Sequence, residues 1–482
     1  MKSRILALLG WSLLTLASVA QPLPGTALLT GTNDFAADMV GGIKRYLDRE
    51  TLAVSSHRAK VQAYPEASRA RLRELLGLSD PRDERGPVTL RYVAAVSTNL
   101  PIGAVEIGRG AGYRVFAVAW NVMRGVEGEG LLLLPERESK GDVIALPDCD
   151  WTPEQLAGLT PGLKPSEQLA RLCAEQGFRV IVPALIDRGT EFAGNPGVRP
   201  MKQSQRETLW RASYEMGRTV IGYELQKIFA AADWLNATRK NGSLAMVGYG
   251  EGGLLAYYAG AIDVRFAATY VSGYFVPRER LWEEPIYRNV FGLVREFGEA
   301  EVGALIAPRK LFSEHGRYPD ITHTDANGGA PGRIWRPEDG ETAREFARLQ
   351  SMVGPKSLSY LSNANDRFGD FLEPFLISLS AGIKPQAGAA PQLTGVLPDA
   401  KARTLRQYRQ LLEDTQWLMR EGEFARKDYW KKADFKSLAG FTNSSSWYRG
   451  QFRSNVVGVI PSASLPPNPR SRFLGDQRST PL

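Results

Sequence analysis

The sequence predicts an α/β protein built on a mostly parallel sheet with helices on both faces. Three observations carry that prediction. Short apolar runs at Asp142–Leu146, Phe178–Ala184, Leu244–Val247, Phe266–Val271, Lys310–Ser313 and Ser357–Leu361 alternate with amphipathic segments. Runs of that length between turn signals read as strands buried on both faces, the mark of a parallel sheet. Residues 218–236 set Ile221, Leu225, Ile228, Phe229, Ala232 and Leu235 on one face at helical spacing. Tyr113–Val122 and Gly130–Leu134 form a hairpin-like pair that opens the series before the strand–helix units begin.

The remaining elements follow in order. Residues 36–77 read as an Arg- and Glu-rich helix with a Leu75-Leu76-Gly77 stop. A helix at 166–176 ends at Gly177, and others are expected from about Gly252, around 341–353 and over 371–381. Residues 278–304 read as a helical excursion. The Pro- and Gly-containing stretch 383–398 reads as a linker, followed by a long helix at about 399–421. No G-x-G-x-x-G motif follows the first strand and no Walker A loop appears, so nucleotide binding is disfavoured. The expected organisation is a leader at 1–20, an N-terminal helical extension at 21–95, the α/β domain at 96–382, a linker at 383–398 and a basic aromatic tail at 399–482.

The chain has 482 residues, of which 43% are hydrophobic and 23% charged, and it carries a formal net charge of +8. That is ordinary globular usage and excludes wholesale disorder. The charge is unevenly spread, because residues 399–482 alone contribute +7. Lys2 and Arg4 precede an apolar run from Ile5 to Leu16, and Ser18-Val19-Ala20 follows with small residues at the cleavage positions. This is the pattern of a secretory signal peptide, so the protein is expected to be exported, to the periplasm or beyond. No other apolar stretch is long enough to span a bilayer, so the protein is expected not to be membrane-embedded. Cys149 and Cys173 cannot supply a metal framework, and three histidines (His57, His315, His323) make histidine-rich metal chemistry unattractive. No metal or cofactor is expected. Export permits a disulfide between the cysteines, but Cys173 shares a helix face with Leu169 and Leu172 and reads more simply as a core residue.

The most informative segment is Met246-Val247-Gly248-Tyr249-Gly250-Glu251-Gly252-Gly253. A strand, a sharp glycine-rich turn and a helix flanked by small residues describe a nucleophile elbow, in which the small residues allow a strained backbone and a close strand–helix approach. With Gly248 and Gly252 as the flanking small residues, the nucleophile position falls on Gly250, which has no reactive side chain. Shifting the register by one places Glu251 there, at the cost of Tyr249 where a small residue belongs. A carboxylate can act as a nucleophile. In the plainer register Glu251 follows the nucleophile position and offers its backbone N–H to an oxyanion.

At this turn the chain resembles secreted bacterial α/β-hydrolases of the acetyl xylan esterase and dienelactone hydrolase type. The resemblance covers roughly residues 90–382 and rests on Gly248–Gly253, on Gly130–Pro135 with the Asp142–Asp150 strand and loop, and on Ala307-Pro308-Arg309-Lys310-Leu311. It implies an α/β-hydrolase fold, with Ser at the elbow, Asp after a later strand and His after the last one. Asp320 matches the acid position and Glu314 is a second candidate; either is equally readable as a solvated loop carboxylate. No histidine follows strand 357–361, so Ser and His are both missing from their positions. Loss of either removes several orders of magnitude in rate.

Ligands of open α/β sheets bind beyond the carboxyl ends of the strands. Asp148, Asp150, Asp187, Glu251, Glu314, Asp320, Asp366 and Asp370 are placed there by the element order. Together they suggest a hard-cation site or an acid–base pair, without a spacing motif for either. Asp148 stands where a hydrolase often supplies an oxyanion amide, which makes its backbone the expected contributor. Excursions at 188–215 (with Arg188, Arg206 and Trp210) and 278–304 (with Arg278, Trp282, Tyr287 and Arg288) are expected to cover the crevice. Their arginines and aromatics suit a sugar ring or an acidic group, and equally suit ordinary cap packing.

The tail interleaves Trp417, Tyr429, Trp430, Phe435, Trp447 and Tyr448 with lysine and arginine. Such composition can serve nucleic acid, but an exported chain seldom meets any, and docking of the tail through its aromatics is the simpler reading. The expected partner is a carbohydrate or another small ester or acidic ligand. The proline-rich end, Leu465–Arg470, suggests a connector to a second hydrolase-like domain. The sequence therefore leaves three readings: a degenerate, ligand-binding esterase-type domain; a working carboxylic-ester hydrolase using Glu251 with Asp320 or Glu314; and a structural module partnering a second hydrolase domain.

Overall fold

A computed structural model describes residues 22–29, 34–55, 58, 61–82, 86–93, 106–193, 203–324, 328–362, 368–380, 388–459 and 467–471. The expected leader at 1–20 and Asp366 lie outside the described residues. The chain divides into two compact units, one formed by 48–428 and the other by 1–47 with 429–482.

In the larger unit, eleven strands form one sheet. They are β1 (Leu90–Tyr92), β2 (Glu106–Gly110), β3 (Tyr113–Met123), β4 (Val126–Pro135), β5 (Asp142–Leu146), β6 (Arg179–Pro183), β7 (Leu244–Tyr249), β8 (Phe266–Ser272), β9 (Lys310–His315), then, beyond a small hairpin of β10 (Ile321–His323) and β11 (Gly332–Ile334), β12 (Leu358–Ser362) and β13 (Gln392–Leu393). The order across the sheet is β12-β9-β8-β7-β5-β6-β4-β3-β2-β13, with β1 paired to β3. Strands from β12 to β6 run parallel, and β4, β3, β2 and β13 continue antiparallel. An antiparallel start followed by a parallel series that crosses over at β5 and β6 is the α/β-hydrolase topology.

Among the described residues, the α-helices longer than four residues are α1 (Phe35–Ser55), α2 (Pro65–Leu75), α3 (Leu169–Glu175), α4 (Gln205–Tyr214), α5 (Val220–Thr238), α6 (Glu251–Ile262), α7 (Glu299–Ala304), α8 (Asp339–Val353), α9 (Leu372–Leu379), α10 (Ala400–Trp430) and α11 (Leu438–Gln451). Strand alternation divides the core in two. On β3, Phe116, Val118 and Trp120 join α5 and α6 on one face, while Tyr113, Val115 and Ala117 join α3 and α9 on the other. Cys149 belongs to the first cluster and Cys173 to the second. Both thiols are free, so they make no disulfide here.

Several elements differ from expectation. The single helix expected at 36–77 is two, because Pro65 can start a helix but cannot sit in the interior of one. The excursion at 278–304 is broken into short pieces, 3-10 turns at Arg278–Glu283 and Ile286–Arg288 with Pro277 and Pro285 just before each, then α-helical turns at Leu293–Glu296 and Glu299–Ala304. Within the stretch expected as a linker, Gln392–Leu393 forms β13 and hydrogen-bonds to the sheet edge.

Helix α10 joins the larger unit through residues that precede the aromatic run. Arg403 makes a bidentate pair with Glu154 (2.7 and 2.9 Å), Arg406 pairs with Glu129 (2.7 Å), Gln407 accepts from buried Lys227, and Asp414 accepts from Tyr223. Trp417 lies under Arg124. Tyr408 and Leu411 of α10 are buried in the first core cluster beside these polar pairs, whereas Phe435, Trp447 and Phe452 of the smaller unit are exposed. In the smaller unit, Ala27–Leu28 bridges Arg470–Ser471 in parallel, and Tyr429, Trp430, Trp447 and Tyr448 cluster together.

Candidate functional site

The turn after β7 has the geometry of a nucleophile elbow. Gly250 sits at φ 60°, ψ −121°, a region that residues with a Cβ enter only under strain. Gly248 and Gly252 meet so closely that a Cβ on Gly248 would lie 2.1 Å from the Gly252 carbonyl oxygen. Helix α6 starts at Glu251, directly beyond the turn. The strained position is therefore Gly250, with Glu251 after it, which is the plainer of the two registers.

The space a nucleophile would use is filled. A Cβ built on Gly250 would stand 2.3 Å from Asp148 Oδ2 and 2.8 Å from Pro319 Cγ. The same Asp148 oxygen accepts from the Glu251 backbone N–H at 3.0 Å. The amide in position to face an oxyanion is thus committed to a carboxylate of the protein itself. Asp148 contributes through its side chain, where its backbone was the expected contributor.

Asp148 is held in place by Arg188. Its two oxygens accept from Arg188 Nη1 (2.6 Å) and Nη2 (3.2 Å), and Oδ1 also accepts from the Asp150 N–H. Arg188 further contacts Asp150 Oδ2 at 2.7 Å and Glu251 Oε1 at 3.2 Å, and its Nε donates to Tyr287 Oη at 2.8 Å. Glu251 is fully buried and accepts from Arg288 Nε at 2.7 Å, with Arg206 Nη2 at 3.7 Å. Arg206, also fully buried, forks onto Glu224 with two bonds of 2.9 Å and lies over the Tyr287 ring.

Buried charges persist only when paired, and this network pairs them across segments far apart in the chain. Burial opposes the charged form of Asp148, but the Arg188 guanidinium outweighs it and the carboxyl lies below the usual range. Burial likewise opposes the charge of Glu251, and Arg288, Arg206 and Arg188 together hold its pKa down. Both stay ionised at neutral pH. Asp148, Cys149 and Asp150 bring ligand-type atoms within 4.8 Å of one another. Both carboxylates already share the cation of Arg188, which would repel a metal ion.

The other expected site residues are dispersed. Glu314, buried at the end of β9, accepts from Tyr270 Oη (2.6 Å), Ser272 Oγ (2.7 Å) and the N–H groups of Gly369 and Asp370 (both 3.0 Å). It ties three sheet-end segments together. Replacing it with glutamine removes half of the acceptor capacity facing those donors and is expected to cost about 1–3 kcal/mol in urea unfolding. Asp320 points to solvent, its side chain 79% exposed, with Arg333 at 4.0 Å. Trp210 donates Nε1–H to the Asn289 carbonyl at 2.8 Å and so fastens α4 to the cap turns.

Tyr249 stacks on Trp151 (4.7 Å between centroids) and Phe368 (4.3 Å), and the Arg317 guanidinium lies over all three rings. Arg317 also pairs with Glu167 at 2.9 Å. A positive side chain covers the aromatic surface beside the elbow.

His315 ends β9, fully buried, with Nδ1 2.9 Å from Tyr318 Oη and Nε2 2.9 Å from Asp339 Oδ1. Burial, reinforced by Arg336, pushes its pKa down to about 4 against the pull of Asp339. A depressed histidine pKa adds stability that is complete above the unfolded value near 6.5 and is lost as pH falls toward 4. The imidazole NMR signals of His315 are expected to stay those of the neutral ring down to about pH 5; a midpoint above 6 would contradict this packing.

Pairing of the cap arginines with Asp148 and Glu251 was missed by reading the sequence. The available signal was chemical: carboxylates predicted at buried strand ends require cations, and Arg188, Arg206 and Arg288 are among the cations of the two cap excursions.

No curated protein matches the chain in sequence. Among solved structures, it is similar to a candidate acetyl xylan esterase from Bacteroides fragilis NCTC 9343 (14% identity, 63% of this chain and 74% of that one, TM-score 0.43). A glucuronoyl esterase from Solibacter usitatus gives 13% identity over 64% of this chain and 90% of that one, with a TM-score of 0.41. An acetyl xylan esterase from Paenibacillus sp. R4 gives 12% identity over 66% and 97%, with a TM-score of 0.40. Residues 154–284, from the loop after β5 through the elbow to the first cap turn, match the model of the dienelactone hydrolase family. Strand order and elbow geometry thus make the larger unit an α/β-hydrolase fold, with the dienelactone hydrolase pattern running through its central 154–284 segment.

Proposed function

We propose that this is an exported, esterase-like protein in which the Ser-His-Asp apparatus is not assembled, and that it serves as a degenerate, ligand-binding domain of the carbohydrate-esterase type. The observation that carries the reading is the occupied elbow. Gly250 holds the strained conformation with no nucleophile, and Asp148 takes both the space beside it and the Glu251 amide. Support for esterase ancestry is the dienelactone hydrolase match at 154–284. Support for export is the charged, apolar and small-residue order of 1–20.

An active enzyme using Glu251 is the weaker reading. A carboxylate nucleophile must reach substrate, and Glu251 is fully buried against three guanidiniums. The test is turnover of 4-nitrophenyl acetate and acetylated xylan by wild type and Glu251→Gln. Rates at the buffer background for both are expected. Robust wild-type turnover abolished by Glu251→Gln would overturn the proposal.

A further inference from the structure

We propose that a cavity lined by residues other than the elbow glycines is a binding site for a small ring-bearing anion. A cavity of about 400 Å³ opens between the start of the cap (Gly273–Pro277), the segment after hairpin strand β11 and helix α8. None of Gly248, Gly250, Gly252, Asp148, Asp150 or Glu314 lines it. Its volume falls in the range of small-molecule sites, roughly 300–1,000 Å³, and suits one or two rings.

The lining selects charge and shape together. Tyr274, Tyr318 and Trp335 supply aromatic surface, and four guanidiniums converge, those of Arg288, Arg333, Arg344 and Arg348. Two are neutralised within the protein. Arg288 pairs with Glu251 and Glu284, and Arg348 pairs with Glu301 and Glu345. The other two are not. Arg333 lies over the Trp335 ring with its nearest carboxylate, Asp320, at 4.0 Å, and Arg344 has no carboxylate partner among the described residues.

Lining carboxylates offset this only in part: Glu284 and Glu345 are already shared with Arg278, Arg288 and Arg348, which leaves Glu341 as the one further carboxylate in the wall. A cationic ligand would meet an excess of positive charge, since beyond those shared carboxylates the wall sets Glu341 alone against Arg333 and Arg344. A neutral ring would use the aromatic faces and leave both guanidiniums to water. An anionic group on a ring satisfies both features, since guanidinium pairs with carboxylate or phosphate through parallel hydrogen bonds. Arg288 links the cavity wall to Glu251, so the site adjoins the buried network without using the elbow.

Calorimetry and Trp335 fluorescence would test the site on the full chain, with glucuronate, glucose 6-phosphate and benzoate as probes and glucose as the neutral control. Saturable binding of at least one anion, and none of glucose, is expected. Glucuronate against glucose 6-phosphate separates carboxylate from phosphate recognition. In the Arg333→Ala/Arg344→Ala variant, whose exposed side chains are not core, affinity is expected to fall roughly tenfold or more. Arg426→Ala, an exposed change in α10, should leave it unaltered. Absence of binding across the anion panel, or a double variant that binds like wild type, overturns the proposal. Ester turnover by the wild type would sink the degenerate-enzyme reading and leave this one standing.

Discussion

Replacing Arg188 with methionine is expected to destabilise the larger unit by about 3–5 kcal/mol at pH 7, because it leaves buried carboxylates without their shared cation. Asp148 loses both of its arginine bonds and Glu251 loses one of three guanidinium neighbours. The pH dependence identifies the cause. In wild type, Asp148 and Glu251 have depressed pKa values, so their contribution is present above the unfolded values near 4 and is lost as pH falls through the folded ones. Without Arg188, burial dominates at Asp148 and raises its pKa above the unfolded value. The variant then gains stability, relative to wild type, as pH falls. Urea unfolding at pH 7 and pH 4.5 should show the gap narrowing at the lower pH. A gap independent of pH would mean that lost packing, and not the unpaired charge, explains the cost.

Gly250→Ser is the second large effect, at about 3 kcal/mol of destabilisation with no gain of ester turnover. Backbone strain at φ 60° accounts for roughly 1–3 kcal/mol. The added Cβ then meets Asp148 Oδ2 at 2.3 Å, and Asp148 cannot retreat because Arg188 and the Glu251 N–H hold it. Forcing atoms into such a site costs roughly another 1–3 kcal/mol unless the neighbours shift. Restoring serine therefore restores neither space nor oxyanion amide. Thermal unfolding and 4-nitrophenyl acetate assays would check both parts, and a stable variant with clear turnover would show that Asp148 yields its place.

Much of the sheet was legible because its strands are buried on both faces and its crossover helices are amphipathic. Apolar runs such as Val143–Leu146 and the Ile221–Leu235 stripe leave few other placements. Edge elements were harder. β1, β2 and β13 are short, half-exposed and polar, so Leu90–Tyr92 and Gln392–Leu393 carry little hydrophobic pattern. At the candidate site, the glycine spacing around Gly250 was readable because backbone geometry demands it. The partners of Asp148 and Glu251 were not, since Arg188 lies 40 residues from one and 63 from the other. Pairing over such separations is set by tertiary structure, and periodicity says nothing about it. The tail gave the opposite lesson. Its conspicuous aromatics lie mostly beyond residue 417, while α10 meets the sheet body through Arg403, Arg406, Gln407, Tyr408 and Leu411, residues unremarkable in a basic helix.

That attachment bears on modularity. A reader dividing the chain by composition would cut near residue 398 and expect two independent pieces. Removal of α10 would instead strip Glu154 of its bidentate arginine and leave Lys227 buried without an acceptor for its ammonium. The helix is therefore inseparable from the α/β body it follows. Recombination or trimming at that point would remove a structural member of the hydrolase fold, and shuffling events that preserve the fold should carry residues 400–417 along with it.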